Sequence, residues 1–192
     1  MAKPYFSTAL IALTLSSTVA VAQDTGTTSD LDMGVPLQKG ERPLGERYLK
    51  ETFNDWQLAC IASQLEQDPC SMLQLMLDPN GQPMAEITLF RLAEGPAAAA
   101  ATVIVPLETL LPAQMTIAIG DNLGKRYGYE YCTPVGCVAQ IGLTEEDIAL
   151  MKAEDEAVVS IVPAPAPDQR IDLRLSLSGF TAAYNVVDVV EN

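Results

Sequence analysis

The sequence contains no histidine and few basic residues: 11 lysines and arginines stand against 25 aspartates and glutamates in 192 residues, which gives a net charge of -14. Without histidine the chain cannot build a Ser-His-Asp or Cys-His catalytic site, a histidine-ligated zinc site or a histidine pH switch. The scarcity of basic residues also argues against nucleic acid as a partner and against electrostatic adhesion to an anionic membrane. Hydrophobic residues make up 48% of the chain, which is enough for one well-packed domain.

The first 22 residues have the pattern of a cleaved export signal. Lys3 provides a small positive region, an apolar run follows at residues 9–15, and Ala20-Val21-Ala22 forms an A-x-A cleavage site. The run is shorter than the roughly 20 residues of a membrane-spanning helix. We therefore predict a signal peptide at 1–22 and a mature chain without a transmembrane segment, located in the periplasm or at the outer envelope.

Four cysteines follow this segment: Cys60, Cys70, Cys132 and Cys137. An even number of cysteines in an exported chain indicates disulfides, and four cysteines allow three connectivities. A turn sequence containing proline lies within each close pair, so we favour the local bridges Cys60–Cys70 and Cys132–Cys137. A zinc site and a redox-active pair are the alternatives, but the spacings fit neither a zinc site nor a C-x-x-C motif.

The sequence divides into four regions. Residues 23–47 are polar and interrupted by glycine and proline, which predicts a flexible acidic or polar tether. Residues 48–188 contain the hydrophobic patterns of a folded domain, and residues 189–192 form a tail.

The folded region is dominated by strand signals and has one credible helix. The helix is predicted to begin after Thr144, where Asp147 completes a capping box, and Trp56 is expected to anchor the core. Short strands separated by turns predict an all-β sandwich, with a closed barrel as the alternative. The predicted strands are Trp56–Ile61, Met72–Leu77, Ala85–Arg91, Thr102–Val105, Met115–Ile119, Tyr127–Cys132, Cys137–Ile141, Ala157–Val162 and Arg170–Ser178.

One strand carries candidate contact residues. Lys125 and Arg126 are adjacent basic residues, and Tyr127, Tyr129 and Tyr131 follow at every second position. On a continuous strand the three tyrosines would share one face, and tyrosines give large contact areas at low entropic cost. We predict a partner contact there, although an ordinary half-exposed strand explains the pattern too.

No residue pattern indicates a catalytic, metal or cofactor site. The Asp-Pro-Asn-Gly segment at 78–81 and the Gly-Asp-Asn segment at 120–122 do not match a calcium loop and are explained by turn chemistry. Carboxylate pairs that could hydrolyse glycans cannot be identified from one sequence. We therefore predict no enzyme activity and no cofactor.

Five segments, taken in order, resemble the invasion-associated locus B family. They are Tyr48–Cys60, Val103–Leu107, Gly120–Asp121, Cys132–Ala139 and Leu175–Ala183. The resemblance implies an exported protein of Gram-negative bacteria with an immunoglobulin-like β-sandwich, here with one short helix. Some members are linked to host-cell invasion, but many relatives belong to free-living bacteria, and the family has no established catalytic residues.

These observations lead to one main hypothesis and two alternatives. The main hypothesis is a non-enzymatic envelope protein that binds a protein or glycan partner. A periplasmic redox or folding helper that uses Cys132 and Cys137 is the first alternative, and a cell-wall glycan hydrolase that uses acidic residues is the second.

Overall fold

The computed structural model describes residues 32–36, 38, 40, 42–78 and 81–191. The chain divides into two compact units, Met1–Pro36 and Leu37–Asn192. In the first unit the Gly34 N–H donates a hydrogen bond of 2.8 Å to Asp32 Oδ1. The predicted signal peptide lies outside the described residues, as do residues 23–31, 37, 39 and 41 of the predicted tether.

The described part of the second unit consists mainly of strands, with two α-helices and one short 3-10 helix. The strands are β1 (Arg47–Phe53), β2 (Trp56–Ile61), β3 (Cys70–Leu77), β4 (Pro83–Leu92), β5 (Ala99–Val105), β6 (Met115–Ile119), β7 (Lys125–Tyr127), β8 (Tyr131–Thr133), β9 (Gly136–Leu143), β10 (Glu156–Ile161), β11 (Ile171–Ser176) and β12 (Val189–Val190). The helices are α1 (Glu145–Ala153), α2 (Phe180–Val186) and the 3-10 helix Leu111–Ala113.

The strands form two sheets that enclose one core. The first sheet has the order β1-β2-β3-β4-β5-β9-β8, with β12 beside β4, and the second has the order β11-β10-β6-β7. Side chains along β5 alternate between buried and half-buried, as they should in a strand with one face against the core. Buried residues of both sheets belong to one hydrophobic cluster. The predicted all-β sandwich is therefore confirmed.

Strand β12 extends the first sheet in line with β3. Val189 and Val190 pair in parallel with Arg91 and Leu92 at the end of β4, on the side that β5 leaves free. The carboxylate of Asp188 accepts the backbone N–H of Cys70 at 2.6 Å. The first residue of β3 and the residue before β12 are thus joined by a hydrogen bond.

Helix α2 contributes to the core between β1, β2 and α1. The Phe180 ring is fully buried and meets the Trp56 ring edge-on, with 5.3 Å between centroids. The Trp56 indole N–H donates a 2.9 Å hydrogen bond to the Ser176 carbonyl, so its polar edge is satisfied. Trp56 is therefore a core residue, as predicted.

Two features of the prediction are wrong. The structure has a second helix, α2, where the sequence indicated only a closing strand and turn. The predicted strand Tyr127–Cys132 is divided into β7, which pairs with β6, and β8, which pairs with β9. The chain leaves one sheet at Gly128 and enters the other, so the three tyrosines do not share a strand face.

Candidate functional site

The five predicted contact residues lie along the crossover from the second sheet to the first. Strand β7 consists of Lys125, Arg126 and Tyr127. Tyr129 belongs to the segment that connects β7 to β8, and Tyr131 is the first residue of β8. Lys125, Arg126 and Tyr131 are exposed, whereas Tyr127 and Tyr129 are half-buried and pack against the core. The structure thus brings Lys125 and Tyr127 to one side of the sandwich and places Tyr131 on the other sheet.

Tyr129 is held mainly by apolar contacts. Its phenol oxygen is buried and has no hydrogen-bond partner among the described residues. Burial raises the pKa of Tyr129 to about 12. This side chain therefore anchors the crossover from the inside and is not positioned to contact a partner.

Lys125 forms an ion pair with a carboxylate on α1. Its Nζ lies 2.7 Å from Oδ1 and 2.8 Å from Oδ2 of Asp147, whose side chain is 5% exposed, against 52% for Lys125. Thr144 donates both its N–H and its hydroxyl to Asp147 Oδ2, each at 2.9 Å. The predicted capping box is confirmed, but no pattern in the sequence indicates that the same carboxylate also binds Lys125.

These contacts oppose the effect of burial on the charged pair. Burial by itself would raise the pKa of Asp147, but the hydrogen bonds from Lys125 and Thr144 outweigh it and hold the pKa below its ordinary value. The hydrogen bond to Asp147 raises the pKa of Lys125. Both groups are therefore charged at neutral pH.

A cavity of about 160 Å³ lies between the two sheets next to this ion pair. Most of its wall is aliphatic, and Leu150 and Met151 of α1 complete it. The aliphatic residues contributed by the two sheets are Ile87, Ile117, Ile119, Ile141, Leu143 and Leu175. All of these residues except Leu143 lie in predicted strands, but no sequence pattern could show that they leave a space between them.

The outer face of the first sheet carries an apolar row. Tyr131 pairs with Val138, which pairs with Ile104 on its other side; Ile104 pairs with Glu86, and Glu86 with Leu75. Tyr131 is 50% exposed and Leu75 45% exposed. We call these five residues the outer row.

The surroundings of the outer row are apolar on one side. Val135, at the tip of the β8–β9 hairpin, is 78% exposed and lines a groove with Leu75, Ile104 and Pro106. The carboxylate of Glu86, in the middle of the row, is 3.3 Å from Arg47 Nη1. The row therefore offers exposed carbon at its two ends, Tyr131 and Leu75, while Val138 between them is buried and the charge of Glu86 is already paired.

Both disulfides join residues that lie directly opposite each other on antiparallel strands. Cys60 of β2 is bonded to Cys70 of β3, and Cys132 of β8 to Cys137 of β9. These are the two local bridges that the sequence favoured. The second bridge closes the hairpin that carries Val135.

The described acidic residues form no cluster suited to a metal ion, and the pKa shifts of two of them are downward. No three histidine, cysteine, aspartate or glutamate side chains in this part of the chain are grouped so that they could hold a metal ion. Hydrogen bonds, chiefly from Ser63 and Ser160 respectively, lower the pKa of Asp68 and Asp172. A general acid needs its pKa raised.

Among the described helices, none has the length and hydrophobicity to cross a membrane.

Comparison with known proteins agrees with the predicted resemblance. The family model described as invasion associated locus B (IalB) protein matches residues 56–188. Two proteins named invasion protein B homolog, from Brucella abortus strain 2308 and from Brucella abortus biovar 1 strain 9-941, are each 27% identical over 149 residues, covering 77% of this chain and 84% of theirs.

A solved structure has the same fold. The crystal structure of invasion associated protein B from Bartonella henselae superposes with a TM-score of 0.61 and 21% sequence identity, covering 72% of this chain and 94% of that one. The match to the family model begins with β2 and ends at residue 188, directly before β12. Both disulfides lie within it. The chain therefore belongs to the invasion associated locus B family.

Proposed function

We propose that this protein is a non-enzymatic protein of the bacterial envelope, exported by a cleaved signal peptide, and that it acts by binding another protein. The observation that carries the proposal is the outer row. On a sheet whose second face is solvated, strands normally place polar residues outward. In the next row along the same face, Thr88, Thr102 and Gln140 follow that rule, and the apolar residue that continues the row, Leu73, is buried.

The contact surface is held in place before a partner binds. Tyr131 and Val135 belong to a hairpin whose strands are joined by the Cys132–Cys137 bridge. Ordering a surface on binding costs conformational entropy, and a surface that is already rigid avoids much of that cost. Apolar residues exposed on a rigid hairpin beside an apolar groove are typical of a protein interface.

The chemistry of the surface favours a protein partner over a glycan. A glycan offers many hydroxyl groups, which need free polar side chains to bind them. The groove is lined mainly by apolar residues such as Leu75, Ile104 and Val135, and its two charged residues, Arg47 and Glu86, are paired with each other. We therefore infer a partner whose own contact surface is apolar. Of the residues predicted from sequence, Tyr131 belongs to this surface.

The acid chemistry of the chain supports binding as the activity. The carboxyl groups of Asp68, Asp147 and Asp172 have pKa values shifted below the ordinary range. Hydrolysis of a glycan would require one carboxyl group with a raised pKa and a second one facing it. These three groups therefore do not favour the glycan hydrolase, and the redox helper is not favoured because both cysteine pairs form bridges between neighbouring strands.

Site-specific crosslinking in native cells tests this proposal. A photo-crosslinking amino acid in place of Tyr131 is expected to yield one product that contains a different protein. The product should be lost when Leu75→Asp is added, because a carboxylate in the groove would be desolvated on binding. The matched control carries the same crosslinker at Arg170, an exposed position beside β11 of the other sheet.

Two outcomes would contradict the proposal. Identical products from positions 131 and 170, or no product from either, would show that the outer row has no specific partner. A product of twice the mass of the chain would assign the row to contact between two copies of this protein.

A further inference from the structure

We propose that the cavity between the two sheets binds a small neutral amphiphile, a molecule with an apolar body of about six carbons and one uncharged hydrogen-bond acceptor at its end. This inference does not depend on the proposed protein partner, because the outer row and the cavity lie on opposite faces of the first sheet. Ile104 faces outward, whereas Ile87 and Ile141 face the cavity.

The volume and lining of the cavity set the body of the ligand. In another protein, an engineered cavity of about 150 Å³ with an apolar lining stays dry and binds benzene. The cavity described here has a similar size, about 160 Å³, and aliphatic walls from both sheets. Such walls cannot replace the hydrogen bonds that a polar group loses on leaving water. The part of the ligand inside must therefore be apolar.

The hydrogen bonds at the mouth set the end group. The Asp147 carboxylate already accepts bonds from Lys125 and Thr144 at both oxygens. The Lys125 ammonium has three N–H groups and uses two of them on Asp147. One N–H of Lys125 remains, so the mouth is suited to a ligand oxygen that accepts a hydrogen bond.

The charge at the mouth distinguishes between acceptors. Lys125, Asp147 and Glu146 line the cavity, and their charges add to -1. A carboxylate end group would face this negative balance and would compete with Asp147 for the same ammonium. A hydroxyl or carbonyl oxygen accepts the free N–H without that repulsion, so the end group is neutral.

Leu123 indicates that the mouth is incomplete without a ligand. This side chain lines the cavity entrance but is 99% exposed. The rest of the protein therefore covers almost none of the surface of this apolar side chain. A ligand chain at the mouth would give Leu123 an apolar surface to cover.

Methyl NMR of the full chain with 1-hexanol as the probe tests the proposal. Saturable shifts are expected for the methyl groups of Ile87, Ile117, Ile119 and Ile141. Ile104, on the outer face, is the internal control and should not shift. Hexanoate, with the same chain length and a charged end, should bind at least severalfold more weakly.

Variants with matched controls connect the signal to the cavity. Leu150→Trp should fill the space and reduce hexanol affinity by an order of magnitude or more, whereas Leu111→Trp, on the 3-10 helix, should leave it unchanged. Leu123→Ser should weaken binding severalfold, and Leu65→Ser, in an exposed loop, should not. Because Leu123 is not packed, this second variant keeps the test decisive even if Leu150→Trp does not fold.

Three results would overturn the proposal: no saturable shift at the four cavity isoleucines, shifts at Ile104 as large as theirs, or hexanol affinity that neither Leu150→Trp nor Leu123→Ser reduces. Tighter binding of hexanoate than of hexanol would overturn the assignment of a neutral end group. None of these results bears on the crosslinking at Tyr131, so the two proposals can fail separately.

Discussion

At the scale of single residues, the ion pair at the cavity mouth is asymmetric. Asp147 is buried and hydrogen-bonded at both oxygens, whereas half of the Lys125 side chain is in solvent. Removing the lysine would leave a buried carboxylate with only Thr144 as its partner. An unpaired charge in that position is costly, since burial favours the neutral form.

We expect Lys125→Met to lower the free energy of unfolding at neutral pH by about 1–2 kcal/mol, a value reduced because Lys125 is half exposed. The acid dependence should change too. In the wild type the pKa of Asp147 is below its unfolded value, so its stabilisation is present above the unfolded pKa and is lost as the pH falls through the folded pKa. Without Lys125 that pKa rises, and acid unfolding should begin at a higher pH.

Urea unfolding over the acid range measures both effects. Arg126→Met, one position away and exposed on the same strand, is the control and should change the stability by no more than about 0.5 kcal/mol. Equal unfolding curves for the two variants would contradict a stabilising role for the pair.

The residue-level prediction from sequence succeeded where the chemistry was local. The contact between Thr144 and Asp147 spans three positions and has a recognised pattern. The contact between Lys125 and Asp147 spans 22 positions and depends on how α1 lies against β7. Nothing in the spacing of two charged residues reveals a contact of that kind.

At the scale of elements, α2 depends on the glycine that precedes it. Gly179 has φ 88°, in the left-handed region, and a Cβ built on it would lie 1.9 Å from the Phe53 carbonyl oxygen. Only glycine fits both the backbone conformation and the space. This close approach brings the end of β1 against the start of α2, where Phe180 enters the core.

Gly179→Ala should therefore destabilise the protein by about 3 kcal/mol, through the combined cost of a left-handed alanine and of overpacking. Gly128→Ala is the matched control. Gly128 has no atom within 4 Å of the built Cβ and no positive φ. It should change the stability by no more than about 0.5 kcal/mol. Thermal or urea unfolding of both variants gives the comparison. Similar losses of stability in the two variants would show that the backbone at Phe53 can move to make room for the added Cβ at little energetic cost.

The elements that the sequence predicted are those whose hydrophobic period is long and uninterrupted. In the predicted strand Arg170–Ser178, for example, Leu173, Leu175 and Leu177 are buried at alternate positions. Helix α2 was missed because its seven residues follow a glycine with no side chain to cap them. The β7–β8 crossover was missed because three tyrosines at every second position look the same on one strand as on two short ones.

At the scale of the whole molecule, covalent reinforcement is confined to one sheet. Both disulfides belong to the first sheet, one in its β2–β3 pair and one at its β8 edge. The second sheet has no cystine and is joined to the first through the core and through chain connections such as the β7–β8 crossover. The first sheet also carries the outer row, so the reinforced part of the molecule is the part proposed to meet a partner.

Removing a disulfide should lower the free energy of unfolding, and the loss should be larger for the disulfide that closes the longer loop. The two bridges join cysteines 10 and 5 positions apart. From loop-closure entropy, the double variant Cys60→Ala with Cys70→Ala should lose about 3 kcal/mol, and Cys132→Ala with Cys137→Ala about 2 kcal/mol. Urea unfolding with and without a reductant measures this, with the untreated wild type as reference. A double variant as stable as the wild type would show that its bridge does not stabilise the fold.

The position of β12 constrains how the protein can be shortened or labelled. Asp188 satisfies the backbone N–H of Cys70, and Val189 and Val190 cover the free side of β4. A chain cut back before Asp188 would leave that stretch of sheet open to pairing with a neighbouring molecule. Aggregation of such a truncated form would therefore reflect a missing piece of sheet, and a purification tag needs a spacer so that it does not pull this segment out of register.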